Sequence, residues 1–367
     1  MKMITRIIGM SVFVVLLAGI TWLSSEVYST ALHIGTYGVV AIHSTIVVFW
    51  TVFLFSFFSG ENIFGKHLKL VYELCNILFG VLFYLFLGSV LLSVLFFIFP
   101  TISILTAWIV VIVSLLLSIL GLIQARHITE THYSVHLPYA PASWHGKKAV
   151  FLSDTHFGLI NHRKFSNMIV DRILSLKPSI VFHGGDFYDG PLIDTEPITA
   201  SWKRLTDIIP VFYTSGNHEM YGPYDTFIQS LRDAGVTVLL DEKVMHDGVE
   251  IAGLTYRAKG QDKKAREVFD KLSFEANTDT ILINHPPTFH SSAESSGATV
   301  MLSGHTHRGQ FSPIGLLTWL IYKKYNYGIN TTPKMTSITS RGVGTAGPPM
   351  RLFNTPELVV ITFTTQK

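Results

Sequence analysis

Five short polar clusters, each closing an apolar run, hold the residues of this sequence best suited to chemistry. They read Ser153-Asp154-Thr155-His156, Gly184-Gly185-Asp186-Phe187-Tyr188-Asp189, Gly216-Asn217-His218-Glu219, Asn284-His285 and Gly304-His305-Thr306-His307. Asp, Asn and His supply oxygen and imidazole donors suited to manganese, iron, zinc or similar divalent ions, with no thiolate among them. The number of donors fits two ions. A pair roughly 3.5 to 4 Å apart needs a shared carboxylate and about three private ligands each, and can then hold a hydroxide and clamp phosphoryl oxygens. Alone, Asp154 or Asp186 would read as a helix cap or turn residue; five clusters in one chain reverse that reading. Cys75 is the sole cysteine and sits in an apolar stretch, which excludes an intramolecular disulfide and a cysteine metal site.

Something must bring these clusters together. From Lys148 onward, short apolar segments alternate with amphipathic helical patterns and polar turns, the layout of an α/β domain. Strands are expected at 149–152, 180–182, 211–213, 281–283 and 299–302, each running directly into one of the clusters. Strand ends of α/β folds deliver side chains from distant positions to one crevice.

The clusters follow the patterns D-x-H, G-D-x-x-D, G-N-H-[ED], H and G-H-x-H in order. In this the sequence resembles the calcineurin-like metallophosphoesterase superfamily, over about 148–364. Within it the chain looks closest to the membrane-associated bacterial branch of YkuE- and YaeI-type phosphodiesterases. That closer likeness rests on Arg308-Gly309-Gln310 after the last cluster, on Ser340-Arg341-Gly342-Val343-Gly344-Thr345, and on Arg351-Leu352-Phe353-Asn354. The resemblance implies a sandwich of two mixed β-sheets flanked by helices, and metal-dependent hydrolysis of a phosphoester by a bridging hydroxide. It implies that Asp154, His156 and His307 hold one metal, that Asn217, His285 and His305 hold the other, and that Asp186 bridges them. His218 would face the substrate as an imidazolium and assist the leaving group, oriented by Asp189. Protein phosphatases of the superfamily follow the second Asp with Arg; here Gly190 follows Asp189, which disfavours a phosphoprotein substrate. Arg308, where many relatives have a small residue, is expected either to contact substrate or to face solvent.

The rest of the chain says where this chemistry takes place. Charged residues are 14% of the 367, against roughly 25% in soluble domains. Only Lys2, Arg6, Glu26, Glu61, Lys66, Lys69 and Glu73 are charged before residue 126. Apolar runs at 7–23, 38–58, 77–99 and 102–123 each approach the ~20 residues that a helix needs to cross a bilayer, with Pro100 breaking the last two apart. Residues 1–125 are therefore expected to form a four-helix transmembrane region, 126–147 a juxtamembrane linker, and 148–367 the phosphoesterase domain. His43 is expected to be a hydrogen-bond partner within the bundle, and His127, His132, His136 and His145 to be solvated or to face lipid headgroups. Basic residues at 2, 6, 66, 69, 126, 147 and 148 fall on one side of this topology, which places the domain in the cytoplasm of a multi-pass cell-membrane protein. The net charge of +3, without a basic stripe, gives no support for nucleic-acid binding.

The segment 311–327 combines Leu316, Leu317, Trp319, Leu320, Ile321 and Tyr322 with Lys323, Lys324 and Tyr325. It suits either a loop dipping into the membrane interface or a core-packing insertion. The first reading makes a lipid-linked phosphodiester or pyrophosphate the expected substrate. The alternative to an enzyme is a non-catalytic membrane sensor or scaffold that retains the fold, and the intact clusters argue against it.

Overall fold

The computed structural model describes residues 2–59, 61–99, 101–190 and 193–365, and within these the side chains of 1–14, 16 and 54–68 are not described. The chain forms two compact units, Met1–Ile123 with Gly347–Met350, and Gln124–Ala346 with Arg351–Lys367.

The first unit is built from the helices Lys2–Ala31, Thr36–Ser59 and Glu61–Ile98, and Ile104–Gln124 follows. Four spans were expected, but among the described residues three are long and apolar enough to cross a membrane: Thr36–Phe53, Lys69–Ile98 and Ile104–Gln124. The expected first span, 7–23, falls largely on side chains outside the described set, and so does the break expected at Pro100. The described end of the first helix is also more polar than a simple span. It carries Thr21, Ser24, Ser25 and Ser29 on its buried side. Thr21 and Ser24 find partners across helices, Ser25 Oγ donates to Trp22 O of its own helix at 2.7 Å, and Ser29 Oγ is buried without a hydrogen bond among the described residues. Trp50 Nε1 donates to Thr21 Oγ1 at 3.0 Å, and Ser89 Oγ to Ser24 Oγ at 3.1 Å. His43 stacks on Trp22 with its Nε2 3.4 Å from the Glu26 carboxylate.

Among its described residues the second unit holds twelve strands: β1 (Thr129–Leu137), β2 (Lys148–Leu152), β3 (Ile180–His183), β4 (Val211–Tyr213), β5 (Thr237–Val238), β6 (Glu242–His246), β7 (Val249–Leu254), β8 (Thr280–Asn284), β9 (Val300–Ser303), β10 (Gly328–Thr331), β11 (Thr336–Thr339) and β12 (Glu357–Thr365). One sheet runs β1-β12-β2-β3-β4-β5 and the other β10-β11-β9-β8-β7-β6. Both are mixed: β2, β3, β4 and β5 are parallel with β12 antiparallel to β2, and β7, β8, β9 and β11 are parallel with β6 and β10 antiparallel at the edges.

The period-two alternation of strand side chains builds the layers. Ala149, Phe151, Ile180, Phe182 and Phe212 of one sheet meet Ile251, Ile281, Ile283, Val300, Leu302 and Ile338 of the other in the central core. Their neighbours Val150, Leu152 and Val181 turn to the opposite face, where Ile169, Ile173, Trp202, Leu205 and Leu231 of the helices Arg163–Leu176, Glu196–Thr206 and Tyr224–Asp233 cover them. Leu282 and Met301 likewise face Ala265, Phe269 and Ala293 of Asp262–Leu272 and His290–Ser295. This is the expected sandwich of two mixed sheets flanked by helices.

The stretch 126–147 differs from the linker expected of it. Thr129–Leu137 is an edge strand paired in parallel with the whole of β12, burying Val135 and Leu137. Its alternation was masked because the exposed face carries His132 and His136, which read as solvated linker residues.

Candidate metal centre

The strands β2, β3, β4, β8 and β9 end at one edge of the sandwich, and each cluster begins between its strand's last residue and three residues beyond it. Five of the seven expected ligands leave their strands in the left-handed region: Asp154 at φ 55°, His156 at 47°, Asp186 at 53°, His305 at 71° and His307 at 46°. Such backbone costs about 1–3 kcal/mol per residue and persists only where surrounding bonds over-determine it. Here they do. Asp154 N–H donates to Gly185 O at 3.0 Å, His156 N–H to Asp186 O at 3.1 Å, and Gly304 N–H to His285 O at 2.8 Å, so each loop fixes the next. Gly304 is required by the closeness of this packing, because a Cβ there would collide with the Asp154 carboxylate.

Two triads of donor atoms result. In the first, His156 Nε2 is 2.9 Å from His307 Nε2, which lies 3.3 Å from Asp154 Oδ1. In the second, His285 Nε2 is 3.1 Å from Asp186 Oδ2 and 3.2 Å from His305 Nδ1. Asp186 Oδ2 also lies 3.9 Å from His156 Nε2, so one carboxylate oxygen stands between the two groups. Its other oxygen accepts from His218 N–H at 2.8 Å. His285 Nδ1 is 2.7 Å from Gly184 O, a bond that only Nδ1–H can make and that turns Nε2 toward the triad.

The residues fit a pair of divalent cations. Two imidazole nitrogens 2.9 Å apart share at most one proton, and burial drives the His156 imidazole down to about 4 and His307 well below its ordinary range, so at neutral pH both rings are uncharged and at least one lone pair faces the gap. Burial also takes His305 down to about 3. Asn217 Oδ1 is buried and accepts no hydrogen bond among the described residues, an orphan that a cation would satisfy. The carboxylates respond differently. Burial raises Asp154 to about 6, whereas for Asp186 the nearby His285 and His218 outweigh burial and hold it well below the usual range. Against burial, Asp186 and Asp154 push His285 up to about 9.

His218 and Asp189 lie outside these two triads and form a third close group of donor atoms with His156. The two form their own contact, His218 Nδ1 to Asp189 Oδ1 at 2.8 Å, and the His218 ring stands edge-on to His156 with centroids 4.5 Å apart. Burial opposes charge on His218, yet Asp186 and Asp189 push it up to about 10. Arg308 is exposed, its guanidinium 4.8 Å above the Tyr327 ring.

Two residues that sequence reasoning assigned no role turn out to position the centre. Glu219, fully buried, accepts backbone N–H groups of Phe187 at 2.6 Å, Gly216 at 2.7 Å, Tyr188 at 3.1 Å and Asp186 at 3.2 Å, and so ties the second cluster to the third. Its place at the end of the third block was the available signal. Arg351, also fully buried, donates to Gly344 O at 2.6 Å and Arg341 O at 2.8 Å, with Nη2 3.1 Å from His307 Nδ1. Asn354 Nδ2 donates to the carbonyl of His307.

Residues 147–309 match the calcineurin-like phosphoesterase family. An uncharacterized metallophosphoesterase of Aquifex aeolicus is 31% identical over 221 residues, which cover 59% of this chain and 84% of that protein. One from Helicobacter pylori is 29% identical over 218 residues, covering 58% of this chain and 59% of that protein. A bovine transmembrane protein with metallophosphoesterase domain is 27% identical over 274 residues, 68% of this chain and 60% of its own length. The chain thus spans about three fifths of the length of several relatives it matches. It belongs to the calcineurin-like phosphoesterase family.

Proposed function

We propose that this protein is a membrane-anchored hydrolase of a phosphodiester or pyrophosphate, working through two divalent ions held by Asp154, His156 and His307 on one side, by Asn217, His285 and His305 on the other, and by Asp186 between them. The observation that carries the proposal is the position of Asp186 Oδ2, which belongs to the triad with His285 and His305 and lies 3.9 Å from His156 Nε2 of the other. Ions bound there would generate a nucleophile from water at neutral pH and draw charge from the phosphoryl oxygens.

The chain's own residues supply the rest. Asp189 is acceptor-only as a carboxylate, so it holds the Nδ1–H of His218 and leaves Nε2–H as the proton to be given away. The raised basicity of His218 keeps that proton in place across neutral pH, ready for the leaving oxygen. Gly190, where a phosphate-gripping arginine would stand in a protein phosphatase, supports a small or lipid-linked substrate. The basic residues flanking the apolar helices support a cytoplasmic catalytic unit, and digestion of that unit by protease added to right-side-out vesicles would overturn this side assignment.

The substrate class is tested by profiling the purified full chain against nucleotide and lipid phosphomonoesters, diesters and pyrophosphates, with manganese, iron or zinc supplied in turn. Preferential turnover of a diester or pyrophosphate is expected. Exclusive monoester turnover, or none with any metal, overturns the reading.

A further inference from the structure

The helix Ile314–Tyr322 breaks the pattern of every other helix in its unit. It reads Ile-Gly-Leu-Leu-Thr-Trp-Leu-Ile-Tyr, and none of its residues is buried. Leu316, Leu317, Trp319, Leu320 and Ile321 are 62, 57, 50, 49 and 40% exposed. A surface helix turns an apolar stripe to the core and a polar face to water; this one is apolar nearly all round and has no core. Contiguous exposed apolar surface of this kind marks an interaction site.

The helix is held in place. Lys259 Nζ donates to Ile321 O at 2.5 Å, and Thr306 Oγ1, between the two histidines of the last cluster, donates to Asn326 O at 2.8 Å. Gly309, at φ 84°, lets the helix start pass so close that a Cβ would strike the Gly315 backbone. At its far end the Tyr322 ring meets the edge of the His305 ring with centroids 6.0 Å apart. The apolar projection therefore stands at the rim of the candidate metal centre.

Charge selects what covers it. Between Arg308 and Lys334 the sequence has Arg308, Lys323, Lys324 and Lys334 but no Asp or Glu. Lys323 Nζ lies 5.5 Å over the Trp319 ring, joining an aromatic suited to headgroup depth with a cation suited to lipid phosphate. Among the described residues, the same chain carries three helices long and apolar enough to cross a membrane.

We propose that Ile314–Tyr322 docks into the surface of an anionic lipid bilayer and that the adjoining centre takes its phosphoester from the membrane plane. Leu316, Leu317, Trp319 and Leu320 enter the acyl boundary while Lys323 and Lys324 meet the phosphates. The docking stands on the helix alone; the route of the substrate rests on the hydrolase function proposed above.

The test uses the full chain with Cys75→Ala, a nitroxide on Leu317→Cys and, separately, on Glu267→Cys as a solvent-facing control, in phosphatidylglycerol or phosphatidylcholine nanodiscs. Power saturation should show position 317 more accessible to oxygen than to a nickel chelate, more so in phosphatidylglycerol, with the reverse at 267. High nickel accessibility at 317 overturns the docking. So does low accessibility to both reagents, the signature of a second copy or another protein on the helix. In parallel, Leu316→Glu with Leu320→Glu should cut turnover of a vesicle-embedded phosphodiester lipid about tenfold or more, as expected for losing a buried leucine, while sparing a soluble chromogenic diester. Equal loss on both substrates, or none on the lipid, overturns the substrate route. If the unsubstituted chain turns over neither, the hydrolase reading fails and the spin-label result alone decides the docking.

Discussion

His218 Nδ1 lies 2.8 Å from Asp189 Oδ1, so the imidazole that faces the two donor triads is backed by a carboxylate from a different loop. With Asp186 this carboxylate pushes His218 up to about 10 against the effect of burial, and the protonated form persists from the ordinary histidine range up to that pH. Activity that needs His218 as an acid is present below this value and lost above it. Asp189→Asn removes one of the two charges and should move the alkaline limb of kcat toward neutrality by about one to three pH units. A pH–rate profile of the variant with an unshifted limb would remove Asp189 from this role.

Protons and metals compete for the centre. His285, raised to about 9, carries a proton at neutral pH that a metal must displace, and Asp154, raised to about 6, takes one up in acid. Metal affinity should therefore climb with pH up to about 9 and drop most steeply below about 6. Calorimetric titration with manganese in buffers of differing ionisation enthalpy should show about one proton released per chain at neutral pH. Binding without proton release would contradict the assignment of His285.

Glu219→Gln replaces one acceptor oxygen with a donor group facing backbone N–H donors. Two of four buried N–H groups lose their partner, at a cost of about 1–3 kcal/mol each where the group stays unsatisfied. The expected result is a lower melting temperature together with reduced metal content, because the loops bearing Asp186 and Asn217 come apart. A variant of unchanged stability and metal content would show Glu219 to be dispensable.

Arg351→Lys keeps a charge but loses the planar fork that reaches Gly344 O, Arg341 O and the back of His307 together. Loosening the loop carbonyls that Arg351 gathers behind His307 should weaken metal binding at the site His307 serves, by about tenfold or more. Titration of the metal-depleted variant should show this loss at one of two sites, and equal weakening of both would point to general unfolding.

Much of this site was legible because parallel strands are buried on both faces and read as short apolar runs. The segments at 149–152, 180–182, 211–213, 281–283 and 299–302 lie within one residue of the observed strands, and the polar residues after each were brought together as their types required. Strand β1 was not legible, since an edge strand buries only alternate residues and its other face, with His132 and His136, reads as a linker. The first helix shows the limit of hydropathy in another way: Thr21 and Ser24 are buried against Trp50 and Ser89, partners that no local pattern reveals. Glu219 reaches across to the backbone of the second cluster and Arg351 folds back on the Arg341 and Gly344 carbonyls; the block position flags the first residue but not which groups it holds. For 311–327 the sequence left a core insertion open, and Ile314–Tyr322, with none of its residues buried, does not pack as a core element.

The shared position of Asp186 is the centre of the account, and one paired measurement tests it most directly: metal content by mass spectrometry and turnover of bis(p-nitrophenyl) phosphate, on the full chain and on Asp186→Asn. The native chain should hold two divalent ions and hydrolyse the diester only when they are present. Asp186→Asn should lose at least one ion and about a thousandfold or more in kcat, the scale of a lost charge-stabilising group. Turnover by the metal-stripped native chain, or undiminished turnover by Asp186→Asn, would contradict a centre built on that carboxylate.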